Sequence, residues 1–488
     1  PQGFHQLVHS MGVAITSKEP GMEVGFSIVF HGTGGPGSCQ KFTFPGDGAE
    51  RVIDLTQLQW SEFDSSLGEL LFEFPSMNDT GTATVMFYVN PGYEVPEQNP
   101  DPAVNFGSPA YREMIARSFL SAGNNARIQR FIRRAKAGED VTVAFIGGSI
   151  TQGAGAIPLQ TMCYAKQTAD GLRQRFGENV RYIKAGVGGT PSETGLMRYD
   201  RDITRDGKVQ PDLVVVEFAV NDAGDETEGV FYESLIRHIL KGPGSPAVIM
   251  LFAVFADDWN LKRRLAPIGY RHQLPMVDVL EAVSPQFGSP EGRVITKRQY
   301  FCDVYHPNNL GHRIMADCLL YLIDRLEKQQ PEEEPEGYIP PFYGADYENL
   351  LLMDRAQTYD EATVTPGSFT GPDEDLQLVP LDDDTHNTPM FPNNWMKEAG
   401  EEPFVLEIRC RKLVLEFKDS GAENVGKALV TIDGEKARVF DPREAGWTHC
   451  HTAVLFNRQE CATHKVEITM CPEDRDKIFT ILGFGYVK

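Results

Sequence analysis

Long hydrophobic runs are missing from this 488-residue chain. No apolar stretch approaches the roughly 20 residues that cross a bilayer as a helix, so a membrane-spanning protein is not expected. No signal-like hydrophobic stretch follows Pro1 either; the expectation is a cytoplasmic protein, the other case being a leader removed ahead of Pro1. The eight cysteines, at positions 39, 163, 302, 318, 410, 450, 461 and 471, include no C-x-x-C pair, which removes a dithiol redox couple and a zinc knuckle. They read as reduced core thiols, with one or two disulfides open among Cys410, Cys450, Cys461 and Cys471 if the protein is exported. Positive charge is in deficit: 46 Lys and Arg stand against 69 Asp and Glu, a formal net charge of −23. Such a surface repels nucleic-acid phosphates and anionic head groups. Neither nucleic acid nor membrane is expected as a partner, and a neutral substrate suits the chain better than a polyanion.

What is present is ordinary globular composition, 41% hydrophobic and 24% charged residues, which excludes a chain disordered throughout. The length calls for two or three domains. Residues 1–110 carry short β-type runs, such as EVGFSIVFH from Glu23 and TATVMFYVN from Thr82, broken by Gly and Pro turns; they read as a β-sandwich. The stretch from Tyr93 to Pro109, with four prolines, reads as a linker. Residues 119–330 then alternate helix and strand. Ile128, Phe131, Ile132 and Ala135 recur at helical spacing, and VTVAFI from Val141 follows as a buried strand. Val180–Lys184, Leu213–Val220 and Ala247–Phe255 are further strands, and Leu310, Ile314, Leu319, Leu322, Ile323 and Leu326 mark a closing amphipathic helix. Alternation of this kind predicts a parallel sheet covered by helices on both faces. Glu327 to Pro341, acidic and proline-rich, reads as a connector, and residues 342–488 return to β signals, a second sandwich.

Four short elements in the middle segment carry chemistry. Gly147-Gly148-Ser149-Ile150-Thr151 follows the first buried strand, placing a hydroxyl at the carboxyl end of a parallel strand, where such folds bind ligands. It is open at this point whether that turn is a nucleophile site, a tight connection or a phosphate cradle, although the Gly-Lys-Ser/Thr ending of a P-loop is missing. Gly186-Val187-Gly188-Gly189-Thr190 offers uncovered backbone N–H groups or a plain turn. Glu217-Phe218-Ala219-Val220-Asn221-Asp222 ends a strand with an amide able to donate to an oxyanion, or with an Asn-Asp turn. Asp303-Val304-Tyr305-His306 offers an imidazole and a carboxylate from one loop, as serine ester hydrolysis requires; alone it is equally a helix-capping Asp beside a surface His.

Taken in order, GGSIT, GVGGT, EFAVND and DVYHPNNLGH resemble the four sequence blocks of the SGNH (GDSL-like) hydrolase superfamily over residues 119–330. The resemblance implies a flavodoxin-like α/β/α sandwich, with Ser149 as nucleophile, His306 as base, Asp303 as its orienting partner, and the N–H groups of Ser149 and Gly189 with the Asn221 amide as oxyanion donors. Three positions depart from the commoner pattern: GGSIT stands in place of G-D-S, Ala219 in place of Gly, and Lys184 in place of Asn. The flanking β segments make the chain similar to bacterial carbohydrate acetylesterases of the mannan-oligosaccharide deacetylase type. That implies an acetylated oligosaccharide as substrate and no cofactor or metal, with Trp259, Trp395 and Trp447 as candidates for stacking on sugar rings. The alternatives are a lysophospholipase or thioesterase on the same core, and a non-catalytic carbohydrate-binding protein.

Overall fold

Residues alternate strictly along the central strands, each second side chain turning to one of two buried layers. Val143, Phe145, Val215, Ile249 and Leu251 belong to one core, whereas Ala144, Ile146, Val214, Val216, Val248, Met250 and Phe252 belong to the other. Only a sheet covered on both faces needs this pattern. In the computed structural model, which describes residues 4–32, 37–75, 79–92, 101–288, 293–335, 337–383 and 386–488, that sheet has six strands. They are β1 (Phe119–Ser121), β2 (Val141–Gly147), β3 (Val180–Gly186), β4 (Leu213–Glu217), β5 (Ala247–Phe252) and β6 (Met276–Asp278). Their spatial order is β1-β6-β5-β4-β2-β3, with β2 to β6 mutually parallel and β1 antiparallel at the edge. Helices Ala126–Lys136, Tyr164–Phe176, Val279–Phe287 and Asn309–Glu327 cover the first face, and Ser192–Asp202, Val230–Lys241 and Lys262–Arg271 the second. This is the helix-covered parallel sheet expected from the alternation, in the flavodoxin-like α/β/α form that the family resemblance implies.

The chain divides into two compact units, Pro1–Pro102 and Ala103–Lys488. The first holds two three-stranded antiparallel sheets around Met11, Val13, Ile15, Val24, Phe26 and Ile28. The expected linker from Tyr93 falls partly on residues 93–100, outside those described; Pro109 already opens the helix Pro109–Ala116, capped by Ser108.

The C-terminal β segment belongs to the same unit as the central sheet. Its main strands, β7 (Phe404–Asp419), β8 (Ala428–Ile432), β9 (His449–Met470) and β10 (Thr480–Val487), form an antiparallel sheet in the order β10-β7-β9-β8. The runs Phe404–Arg409 and Lys412–Phe417, which read as two strands, are one strand with a register shift between Cys410 and Lys412; such an irregularity breaks the period-2 pattern. Val414, Cys450, Leu482 and Val487 share a core with Leu196 and Tyr199 of the second helix layer. The buried Thr194 hydroxyl bonds to Glu416 (3.1 Å) and Thr452 (2.6 Å) across the same boundary. The acidic connector is docked as well. Glu332 accepts the Asn125 N–H (2.8 Å), Glu334 pairs with Arg127 and Arg130, and the Glu233 carboxylate accepts the N–H groups of Phe342, Tyr343 and Gly344. All eight cysteines are free thiols, so none of the conceivable C-terminal disulfides is formed.

One consequence of the fold is measurable. Glu217 ends the fully buried strand β4, where burial pushes its carboxyl from the ordinary 4.5 up to about 7 against the opposing Thr151 hydrogen bond. The folded state then holds a proton that the unfolded chain releases, so stability is full below about pH 4.5 and is lost as pH rises to about 7. Chemical denaturation of wild type and Glu217→Gln should show the wild type losing about 2 to 3 kcal/mol more between about pH 5 and about pH 8. Equal slopes for the two proteins would show that Glu217 is ionised at neutral pH.

Candidate active site

Parallel strands point their carboxyl ends to one edge, and the four chemical elements of the sequence follow β2, β3, β4 and the last loop before the helix Asn309–Glu327. Ser149 opens the turn of helix Ser149–Gln152, directly after Gly147-Gly148. Gly148 is required by a close approach: a Cβ there would lie 2.2 Å from Asn221 Oδ1. The buried Arg198 guanidinium holds the ends of both neighbouring strands, donating to Gly147 O (3.0 Å) and Ala185 O (2.7 Å). Lys184, at the position where relatives often carry Asn, is buried and donates through Nζ to Gln152 O (2.9 Å), so it supports the turn that carries Ser149.

His306 comes to Ser149 from a loop 157 residues later in the chain, with Nε2 2.8 Å from Ser149 Oγ. Its Nδ1 lies 2.8 Å from Asp303 Oδ2. A carboxylate only accepts, so Nδ1 carries the proton and Nε2 is left to accept from the serine hydroxyl. Asp303 Oδ1 takes the N–H groups of Tyr305 (2.6 Å) and His306 (2.7 Å). Burial alone would raise the Asp303 carboxyl; the His306 hydrogen bond and charge and the two N–H donors outweigh it and hold it at about 2, which keeps it ionised throughout the neutral range.

The loop is clamped to the segment that follows Ser149. Asn309 bonds to both N and O of Ile157 (2.7 Å each), and the neutral His312, pushed down to about 4 by burial, bonds to Ala154 O (2.9 Å) and to Tyr164 N (3.2 Å). Asn308 caps the following helix through the N–H groups of Leu310 and Gly311.

The N–H groups of Ser149 and Gly189 have no backbone acceptor among the described residues, and the Asn221 amide lies against Gly148, beside Ser149, with its Oδ1 buried and unpaired among the described residues. Gly189 has φ +72°, and a Cβ there would lie 2.6 Å from Trp447 Cζ2, so only glycine fits.

The three tryptophans separate. Trp447, on the loop before β9, is 45% exposed, stacks on His449 (4.5 Å) and lies against Gly189. Trp259 stacks on Phe255 (5.9 Å), which meets Tyr305 edge-on (5.1 Å) beside His306 (6.1 Å). Trp395 is corrected: it is only 5% exposed and packs on Phe404 and Phe484 in the C-terminal core, where its ring has no face to offer a sugar. Reading the sequence also passed over Arg198, Gln152 and Tyr305. The first two lie on helices where a polar residue signals nothing, and Tyr305 sits inside the D-x-x-H element, where the sequence does not show that its ring meets Phe255.

Residues 145–314 match the GDSL-like lipase/acylhydrolase family. No curated protein matches the chain in sequence. A crystal structure of a two-domain esterase (CEX) active on acetylated mannans is 25% identical, with a TM-score of 0.66, covering 77% of this chain and 99% of its own. The same esterase co-crystallised with mannopentaose gives 24% identity, a TM-score of 0.65, and 77% and 98% coverage. An acetyl xylan esterase, AlAXEase, matches at 22% identity and a TM-score of 0.31 over 37% of this chain and 98% of its own. Residues 145–314 are thus similar to the GDSL-like lipase/acylhydrolase family, and that match together with the two-domain esterase likeness supports a carboxylic ester hydrolase.

Proposed function

We propose that the protein removes O-acetyl groups from oligosaccharides derived from plant polysaccharide, acetylated mannan fragments foremost, through a triad of Ser149, His306 and Asp303. The observation that carries the mechanism is the pair of 2.8 Å contacts joining Ser149 Oγ, the His306 ring and Asp303. In this reading His306 Nε2 takes the hydroxyl proton as Ser149 Oγ attacks the acetyl carbonyl, and Asp303 holds the imidazole in the required tautomer and stabilises its cation. The developing oxyanion is met by the N–H groups of Ser149 and Gly189 and by the Asn221 amide. His306 returns its proton to the leaving sugar hydroxyl, and water attacks the acetyl-enzyme with His306 again as base. Support for the substrate comes from the likeness to an esterase active on acetylated mannans and from the exposed Trp447 ring against Gly189. Such a ring suits the apolar face of a pyranose. Among the described residues no helix is long and apolar enough to cross a membrane, and a carbohydrate substrate needs none.

Mass spectrometry of acetylated manno-, xylo- and pectin-derived oligosaccharides before and after incubation should show acetyl loss, fastest from the manno-series; loss from none of them would reject the substrate assignment. Ser149→Ala should lower hydrolysis of an aryl acetate by about 10³-fold or more while the protein stays folded, and a tenth or more of wild-type activity remaining would contradict the nucleophile. Asn221→Ala should lower kcat by about 10²- to 10³-fold with KM little changed; a raised KM at constant kcat would make Asn221 a substrate-binding group. Since the reacting groups are a hydroxyl, an imidazole and a carboxylate, the aryl acetate rate should survive exhaustive chelation with EDTA. Its loss, with recovery on adding zinc, would replace the serine mechanism with a metal-assisted one.

A further inference from the structure

The oxyanion loop is held from two sides. Gly188 N–H donates to Gln152 Oε1 (2.8 Å), a residue of the Ser149 turn. Gly188 O accepts from Gln377 Nε2 (2.7 Å), a residue of the C-terminal segment that is only 8% exposed. Gln377 Oε1 in turn accepts the Cys450 N–H of β9 (3.0 Å), and Gln377 O accepts the Met390 N–H (2.9 Å). Both ends of the side-chain amide are thereby assigned without ambiguity: a backbone N–H can only donate and a carbonyl can only accept.

These two bonds act on different peptide planes. The Gln152 contact fixes the peptide between Val187 and Gly188, which leaves rotation about the Gly188 Cα–C bond free. The next plane contains Gly188 C=O and Gly189 N–H, which point in opposite directions from a trans peptide. Two successive glycines lack the Cβ contacts that would keep that plane from turning over. The Gln377 donor, by holding Gly188 O, is what aims Gly189 N–H away from the C-terminal segment.

We propose that Gln377 is a positioning residue for ester hydrolysis: from the C-terminal β segment it fixes the Gly188–Gly189 peptide so that Gly189 N–H meets the oxyanion. This rests on the reading of Ser149 as nucleophile and Gly189 as oxyanion donor. It makes the β segment part of the catalytic apparatus through one hydrogen bond, independent of any contact it makes with sugar.

Two variants separate positioning from support. Gln377→Glu keeps an oxygen for Cys450 N–H and, when ionised, replaces the donor to Gly188 O with a charged acceptor, so it is assayed at alkaline pH where its acid form, which could still donate, is absent; Gln377→Met is of similar length, uncharged, and removes both bonds. With an aryl acetate, too small to engage sugar subsites, both variants should lower kcat by about 10- to 100-fold, somewhat less than complete loss of one oxyanion donor. KM should stay within about twofold, and a boronate that mimics the tetrahedral oxyanion should lose affinity by the same factor as kcat. If Gln377→Met fails to fold, Gln377→Glu alone decides. A folded Gln377→Glu protein with wild-type kcat and boronate affinity would overturn the proposal and leave Gln377 as a structural bridge, as would a raised KM at constant kcat. Ser149→Ala, assayed in parallel, distinguishes the two levels. If it is inactive while Gln377→Glu is fully active, only the positioning role falls; if it is active, the triad reading itself falls.

Discussion

The geometry of this protein depends on bringing an imidazole to a hydroxyl 157 residues earlier in the chain at 2.8 Å. No local preference achieves that. It is achieved by a parallel sheet that sets Ser149 at the end of β2, and by a final helix whose N-terminal loop is tied back through Asn309 to Ile157 and through His312 to Ala154 and Tyr164. The second of these ties needs a neutral histidine, which burial supplies. Asp303 serves one further purpose besides facing His306: its other oxygen shapes the loop by accepting two successive N–H groups.

The central sheet was legible because its strands are continuous apolar runs ending in Gly, Asn or Asp, and a strand buried on both faces has no other way to be written. β1 and β6 were not, because three residues carry no period. β7 was divided in two by its register shift at Cys410 and Lys412. The acidic, proline-rich connector is docked by Glu332 and Glu334, which shows that such composition marks exposure of side chains but not absence of partners. Ser149, Gly189 and Asn221 stood out because each is a polar group or glycine after an apolar strand run, and Asp303 and His306 because they share one short loop ahead of the closing helix. Arg198 and Gln377 gave no such signal: their importance lies in which backbone carbonyls they reach, and that is decided only by the tertiary fold.

The C-terminal β segment is joined to the helix layer over the central sheet by a common core, by the Thr194, Glu416 and Thr452 hydroxyl–carboxyl contacts, by Gln377 on Gly188 O and by Trp447 against Gly189. It is built into the same compact unit as the central sheet rather than appended to it. Glu416 is pushed to about 7 by burial, as Glu217 is at the end of β4, so both sides of the boundary hold carboxyls whose ionisation costs stability.

The central claim is that Ser149 carries the acetyl group during turnover. The most direct measurement is rapid acid quench of the protein during hydrolysis of an acetylated manno-oligosaccharide, followed by peptide mapping by mass spectrometry. The account predicts a single transient acetyl group on the peptide containing Ser149, absent from Ser149→Ala. Steady turnover with no acetylated peptide under conditions where deacylation is slowed, or an acetyl group on another residue, would contradict it.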